Sequence, residues 1–205
     1  MVMKNAILFC TGLSGTGKSH FIKNYLSDTA FYNLKSATTR PMRDGEQDGR
    51  EYYFRDEKYF DTERFASKLW VNEKFWKPGE PKWLYGVPET EVFYHLGYNF
   101  TYDVIQPCYV RQMINWFRDK NLTKYYDFKV LWFQPWQTID NIVQQRQNMP
   151  NDLKVRQTNT CNIQDFTKAH LVPDWTLLNS PQKQIINDSL KTYIQLLISD
   201  YAKQK

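Results

Sequence analysis

Residues 12–19 read Gly-Leu-Ser-Gly-Thr-Gly-Lys-Ser, the pattern G-x-x-x-x-G-K-S. Each fixed position has a chemical use. Glycines let the backbone approach phosphate oxygens closely. The Lys18 ammonium reaches the β- and γ-phosphates of a nucleoside triphosphate such as ATP, and the Ser19 hydroxyl suits Mg2+. The candidate donor-binding set is therefore Gly12, Leu13, Ser14, Gly15, Thr16, Gly17, Lys18 and Ser19, with Ser19 as the metal ligand. The apolar run at residues 6–10 reads as a buried strand leading in, and residues 20–26 have the amphipathic spacing of a helix leading out. A glycine-rich turn without a ligand is the plainer alternative, and these flanks count against it.

A second cluster lies at residues 36–54, Ser-Ala-Thr-Thr-Arg-Pro-Met-Arg-Asp-Gly-Glu-Gln-Asp-Gly-Arg-Glu-Tyr-Tyr-Phe. Arg40 and Arg43 are three residues apart, with Tyr52 further on. Planar guanidinium forks suit bidentate phosphate binding, so these residues can clamp a second phosphate group. The alternative is a surface hairpin whose arginines meet water or neighbouring carboxylates. The histidines His20, His95 and His170 form no pair or cluster, so core or surface roles suit each better than chemistry.

Positioning two phosphate sites takes a rigid frame. Strands are expected at 6–10, 33–38, 102–106, 128–133 and 175–178. Helices are expected at 18–26, 57–68, 89–96, 109–120, 138–148 and 182–199. The last carries Ile185, Ile186, Leu190, Ile194, Leu197 and Ile198 near helical spacing, a core-facing stripe. Alternating strands and helices predict an α/β fold, a parallel sheet with helices on both faces. Residues 39–87 and 140–165 break the alternation and read as insertions.

With 205 residues and 41% hydrophobic content the chain can bury one compact core. No run approaches the about 18 apolar residues of a membrane span. A net charge of +5 spread over scattered basic residues suits an anionic small molecule and is too small for nucleic-acid binding. Cys10, Cys108 and Cys161 share no metal-ligand spacing and fit free thiols in a reducing compartment. Residues 1–4, Met-Val-Met-Lys, lack the order of a secretion signal, so the cytoplasm is expected. The oligomeric state is left open.

Taken with the phosphate loop, residues 36–54 closely resemble the guanylate kinase family. Its pattern S-x-T-T-R-x-x-R-x-G-E-x-x-G-x-x-Y-x-F is met at Ser36, Thr38, Thr39, Arg40, Arg43, Gly45, Glu46, Gly49, Tyr52 and Phe54. Weaker likeness continues at Leu69-Trp70-Val71 and Leu84-Tyr85-Gly86-Val87. The resemblance is strong over roughly the first 90 residues and follows pattern alone beyond them. It implies a P-loop-type core at 1–35, 88–137 and 166–205, a small mixed β monophosphate-binding insert at 36–87 and a helical lid at 138–165. By carry-over Arg40, Arg43, Tyr52 and Tyr85 hold the acceptor phosphate, and Arg146 and Arg156 are lid arginines at the donor phosphates, although Ile142 stands where the family has another arginine. The implied reaction transfers the γ-phosphoryl of ATP, with Mg2+, to GMP or dGMP.

Base readout departs from the pattern. Ser36 is kept, but Leu69 and Val87 occupy the positions of an acidic and a hydroxyl residue. The family's D-x-D strand end aligns near Val104 and Gln106, with Asp103 displaced, so the expected carboxylates are missing there and Gln106 is left to bond a base edge. Trp76 and Trp83 flank an extended loop. Two other readings therefore stay open: a related kinase acting on a different nucleoside monophosphate or a phosphorylated sugar of the ribose 1,5-bisphosphate type, and a non-catalytic interaction module.

Overall fold

The computed structural model describes residues 4–13, 16–26, 31–65, 72–74, 83–104, 106–135 and 163–179, together with Thr192, Tyr193, Leu196 and Ser199. In chain order the elements are β1 (Asn5–Gly12), α1 (Lys18–Phe21), β2 (Phe31–Asn33), β3 (Ala37–Thr38), β4 (Tyr53–Phe54), α2 (Glu57–Phe65) and β5 (Asn72–Lys74). Then follow β6 (Trp83–Gly86), α3 (Glu89–Tyr94), β7 (Asn99–Val104), α4 (Pro107–Asp119), β8 (Tyr126–Pro135), α5 (Ile163–Lys168) and β9 (Trp175–Asn179). They form two compact units, Met1–Tyr32 with Gly97–Lys205 and Asn33–Leu96.

In the first unit β1 is the middle strand of a five-stranded sheet ordered β2-β7-β1-β8-β9. It runs parallel to both neighbours, and β8 runs parallel to β9. The continuous apolar run of β1 is explained by burial on both faces, as a covered parallel strand requires. Ala6, Leu8 and Cys10 pack with Phe21, Ile22, Leu26, Leu131 and Phe133. On the other face Phe9 stacks on Phe128, which Phe117 of α4 meets edge-on at 5.5 Å. Helix α4 buries Pro107, Val110, Met113 and Phe117, spaced three and four apart, and starts on a proline whose missing N–H costs nothing there.

The second unit carries a mixed four-stranded sheet ordered β4-β3-β6-β5. Strand β3 is parallel to β4 and antiparallel to β6, which is antiparallel to β5. Ala37, Phe60 and Leu84 form its core, with Tyr53 and Tyr59 packed against them.

Strands β1, β7, β8 and β9 stand where expected, although β7 ends at Val104. The single strand expected at 33–38 is two strands in different sheets. Ala37 and Thr38 pair with Tyr53–Phe54 and with Tyr85 and Gly86, so that segment joins the smaller sheet instead of prolonging β2. The helix expected at 18–26 is α1 followed by a π-helical turn, Ile22–Leu26. Helix α5 was not anticipated. The helix expected at 138–148 lies outside the described residues, as does most of that at 182–199, where Tyr193 stacks on Trp175 at 4.5 Å.

Candidate functional site

Strand β1 ends at Gly12, whose φ of +144° belongs to the region that favours glycine. A Cβ there would sit 2.4 Å from the Phe133 carbonyl oxygen, so the tight exit from the sheet needs a residue without a side chain. Gly17, in a left-handed conformation at φ +95°, then turns the chain into α1, where Phe21 N–H donates to the Gly17 carbonyl at 2.9 Å. Between them the Thr16 hydroxyl donates to Leu13 O at 2.8 Å and closes the loop on itself. Ser14 and Gly15 lie outside the described residues.

Lys18 is buried, at 5% exposure, and points back into this loop. Its Nζ donates to the Gly12 and Leu13 carbonyls, both at 2.8 Å, and lies 3.6 Å from the Asp103 carboxylate. The Ser19 hydroxyl donates to the other Asp103 oxygen at 2.9 Å. In the sequence Asp103 stands only as displaced from the D-x-D positions at Val104 and Gln106, and strand register gives its place. Cys10 of β1 faces Asp103 of β7, which brings the carboxylate beside the loop that starts two residues later. An acidic residue at the end of an otherwise apolar strand was the signal available. Burial pushes the Cys10 thiol well above its ordinary pKa, Asp103 adds to the shift and Lys18 offsets part of it, so this thiol stays neutral.

In the second unit Arg40 is 4% exposed. Its Nη2 donates to both Glu46 carboxylate oxygens, at 2.8 and 2.9 Å, and its Nη1 to the Pro41 carbonyl at 2.7 Å. The guanidinium carbon lies 5.4 Å from the Tyr52 ring centre and 5.5 Å from that of Phe54. The partner is thus the neighbouring carboxylate of the surface-hairpin alternative, but the arginine is buried and Glu46 is only 15% exposed. Glu46 also accepts from the Arg43 N–H at 2.8 Å, which joins the two arginine positions. Tyr52 meets Tyr85 edge-on at 6.0 Å. Ser36 is buried, and Val87 is buried at 1% exposure.

Gln106 belongs to the first unit as the residue preceding α4, where its side-chain carbonyl accepts from the Cys108 thiol at 3.8 Å. Arg146 and Arg156, Leu69 and the loop at 75–82 lie outside the described residues. Among the described residues no group of three or more His, Cys, Asp or Glu is arranged to hold a metal ion. No helix among them is long and apolar enough to cross a membrane.

A parallel sheet ordered β2-β7-β1-β8-β9, with a G-x-x-x-x-G-K-S turn leaving its central strand, defines a P-loop nucleotide-binding fold. No protein-family model matches the chain. Curated relatives narrow the class. A guanylate kinase of Sulfurimonas denitrificans is 48% identical over 56 residues, 27% of either chain. Those of Clostridium tetani and Synechococcus are 33% and 44% identical over 89 residues, covering 40% and 45% of the relatives. The matched segments thus span less than half of the relatives' own length. A crystal structure of guanylate kinase from Anaplasma phagocytophilum superposes with a TM-score of 0.54 at 18% identity, covering 96% of this chain and 88% of that one, and so shares its fold. Over these segments the chain is similar to guanylate kinases, and it shares the fold of one.

Proposed function

We propose that the chain is an ATP-dependent nucleoside monophosphate kinase that passes the γ-phosphoryl of ATP to GMP or dGMP. The observation that carries this reading is Arg40, a buried guanidinium beside two aromatic rings and fixed by Glu46 within the segment 36–54. Burying a charge is costly unless it is compensated, and an arginine held this way is set in place before any ligand arrives. Unit Asn33–Leu96 is then the acceptor-binding part, with Arg40, Arg43, Tyr52 and Tyr85 at the acceptor phosphate and Ser36 at its base.

In this reading the loop at 12–19 holds the donor phosphates. Lys18 exchanges a carbonyl partner for a phosphate oxygen, since its present bonds go to the loop's own backbone. The Ser19 hydroxyl and the Asp103 carboxylate offer oxygen donors, the set that suits Mg2+, and when bound that ion would shield the β- and γ-phosphate charge. An ionised oxygen of the acceptor phosphate attacks the γ-phosphorus as the bond to the β-bridging oxygen breaks, which yields ADP and a nucleoside diphosphate. No catalytic base is needed, because the attacking oxygen carries no proton at neutral pH. Positioning and charge neutralisation supply the rate. We assign Arg146 and Arg156 to neutralising the transferring group, residues 138–165 to a lid that excludes water, and the protein to the cytoplasm, which suits the free thiols of Cys10 and Cys108.

One observation favours a second acceptor. Val87 is buried and apolar where the family pattern has a hydroxyl residue, which removes a polar contact to the base. ADP release measured across GMP, dGMP, AMP, CMP, UMP and ribose 1,5-bisphosphate decides between them. GMP or dGMP should exceed the other acceptors by about ten-fold or more in kcat/KM if polar contacts read the base. Equal rates for all bases would move the reading to the second acceptor class, and no release with any acceptor would reject a kinase.

A further inference from the structure

Glu91 takes no part in the phosphate chemistry above, yet it is a carboxylate only 4% exposed in the first turn of α3. A carboxylate is buried at this depth only where hydrogen bonds or an opposite charge compensate it. Its Oε1 accepts from the Lys35 backbone N–H at 3.1 Å and lies 3.9 Å from the Lys35 ammonium. Its Oε2 accepts from the Tyr53 hydroxyl at 2.8 Å. Burial first, and then this bond to Glu91, push the Tyr53 phenol up to about 12, so it remains a donor at neutral pH.

The two partners have a particular place in the chain. Lys35 immediately precedes Ser36 and Tyr53 immediately follows Tyr52, so they are the two ends of the segment that carries Arg40, Arg43 and Glu46. Backbone bonds repeat the closure, with Tyr53 N–H donating to Ser36 O and Arg55 N–H to Thr38 O, both at 2.9 Å. We propose that Glu91 is a positioning residue for the acceptor site, a single buried carboxylate that fixes both ends of the arginine-bearing loop. The inference rests on the reading of this unit as the acceptor-binding part. Glu91 acts through the loop, and touches neither substrate.

Steady-state ADP release by the full chain tests it, with GMP varied at saturating ATP and then ATP varied at saturating GMP. Glu91→Ala should raise the KM for GMP by about ten-fold or more, as expected for losing hydrogen bonds to a charged group, while the KM for ATP stays within about two-fold. Glu91→Gln keeps an accepting oxygen and should recover part of the loss. Tyr53→Phe, which removes one hydroxyl, should give a smaller rise of the same kind. If Glu91→Ala does not fold, the other two variants decide. A KM for GMP within two-fold of wild type in folded variants overturns the proposal, as does a parallel rise for ATP and GMP. A wild-type chain without GMP turnover rejects the parent reading, and the proposal with it.

Discussion

Replacing Arg40 by alanine tests how the acceptor loop is built and what it does. The guanidinium is 4% exposed, and its Nη2 meets both oxygens of Glu46, a side chain 15% exposed. Breaking a buried pair from one side leaves the other charge uncompensated, which costs ~3–5 kcal/mol. Glu46 keeps the Arg43 N–H at 2.8 Å and some solvent, so the lower end of the range applies, about 3 kcal/mol. For a chain of this size each kcal/mol moves the melting temperature by ~2–4 °C, so Arg40→Ala should melt about 6–12 °C lower. Loss of one charge-assisted contact to the acceptor phosphate, ~1.5–3 kcal/mol, should lower kcat/KM for GMP by about 10- to 150-fold without moving the KM for ATP. Arg40→Lys keeps the charge without the planar fork and should fall between the two in both measurements. Scanning calorimetry and an acceptor titration read the two effects separately. An unchanged melting temperature with an unchanged acceptor KM would refute both the burial argument and the assigned role.

Asp103→Asn should weaken Mg2+-dependent turnover by at least about ten-fold, because the ionised oxygens beside Ser19 and Lys18 are lost; an unaltered Mg2+ dependence refutes its place in the donor site. Gly12→Ala forces a Cβ to 2.4 Å from a backbone oxygen at φ +144°, so it should cost at least ~2 kcal/mol and abolish nucleotide binding, checked by melting temperature and by titration with a fluorescent ATP analogue. The raised pKa of Tyr53 favours its neutral form in the folded state, so its contribution to stability is complete below pH ~10 and is lost as pH rises through about 12. Tyr53→Phe should remove that part of the alkaline loss, as denaturant unfolding at successive pH values would show.

The glycine-rich turn after β1 was legible because its glycines, lysine and serine are contiguous and lie between a strand pattern and a helix pattern. The larger sheet was legible for the same reason, since long apolar runs such as that of β1 can only be buried. The two-residue strands β3 and β4 were not foreseen as such, because two residues hold no period and their pairing is set by partners far along the chain. Residues 33–38 show the consequence, since the one strand expected there is divided between two sheets. Asp103 could be named only as displaced from a family pattern, whereas strand register fixes it opposite Cys10. Glu91 carried no signal in the sequence, since neither the Tyr53 hydroxyl nor the Lys35 amide can be placed beside it from spacing alone. The arginine motif stood out in the sequence as a contiguous segment, but the engagement of Arg40 by Glu46 needed coordinates.

The place of β1 between β7 and β8 also bears on how the chain is made. Ala6 N–H bonds to the Asn99 side chain across 93 residues of sequence, and the Thr11 hydroxyl to Leu131 O across 120. During translation this strand therefore leaves the ribosome long before either of its sheet neighbours exists. Its unsatisfied amides and apolar side chains must wait, open to wrong partners, while about a hundred more residues are synthesised. Nascent chains arrested before β8 should depend on chaperones and resist recovery in soluble form, whereas those arrested beyond it should not.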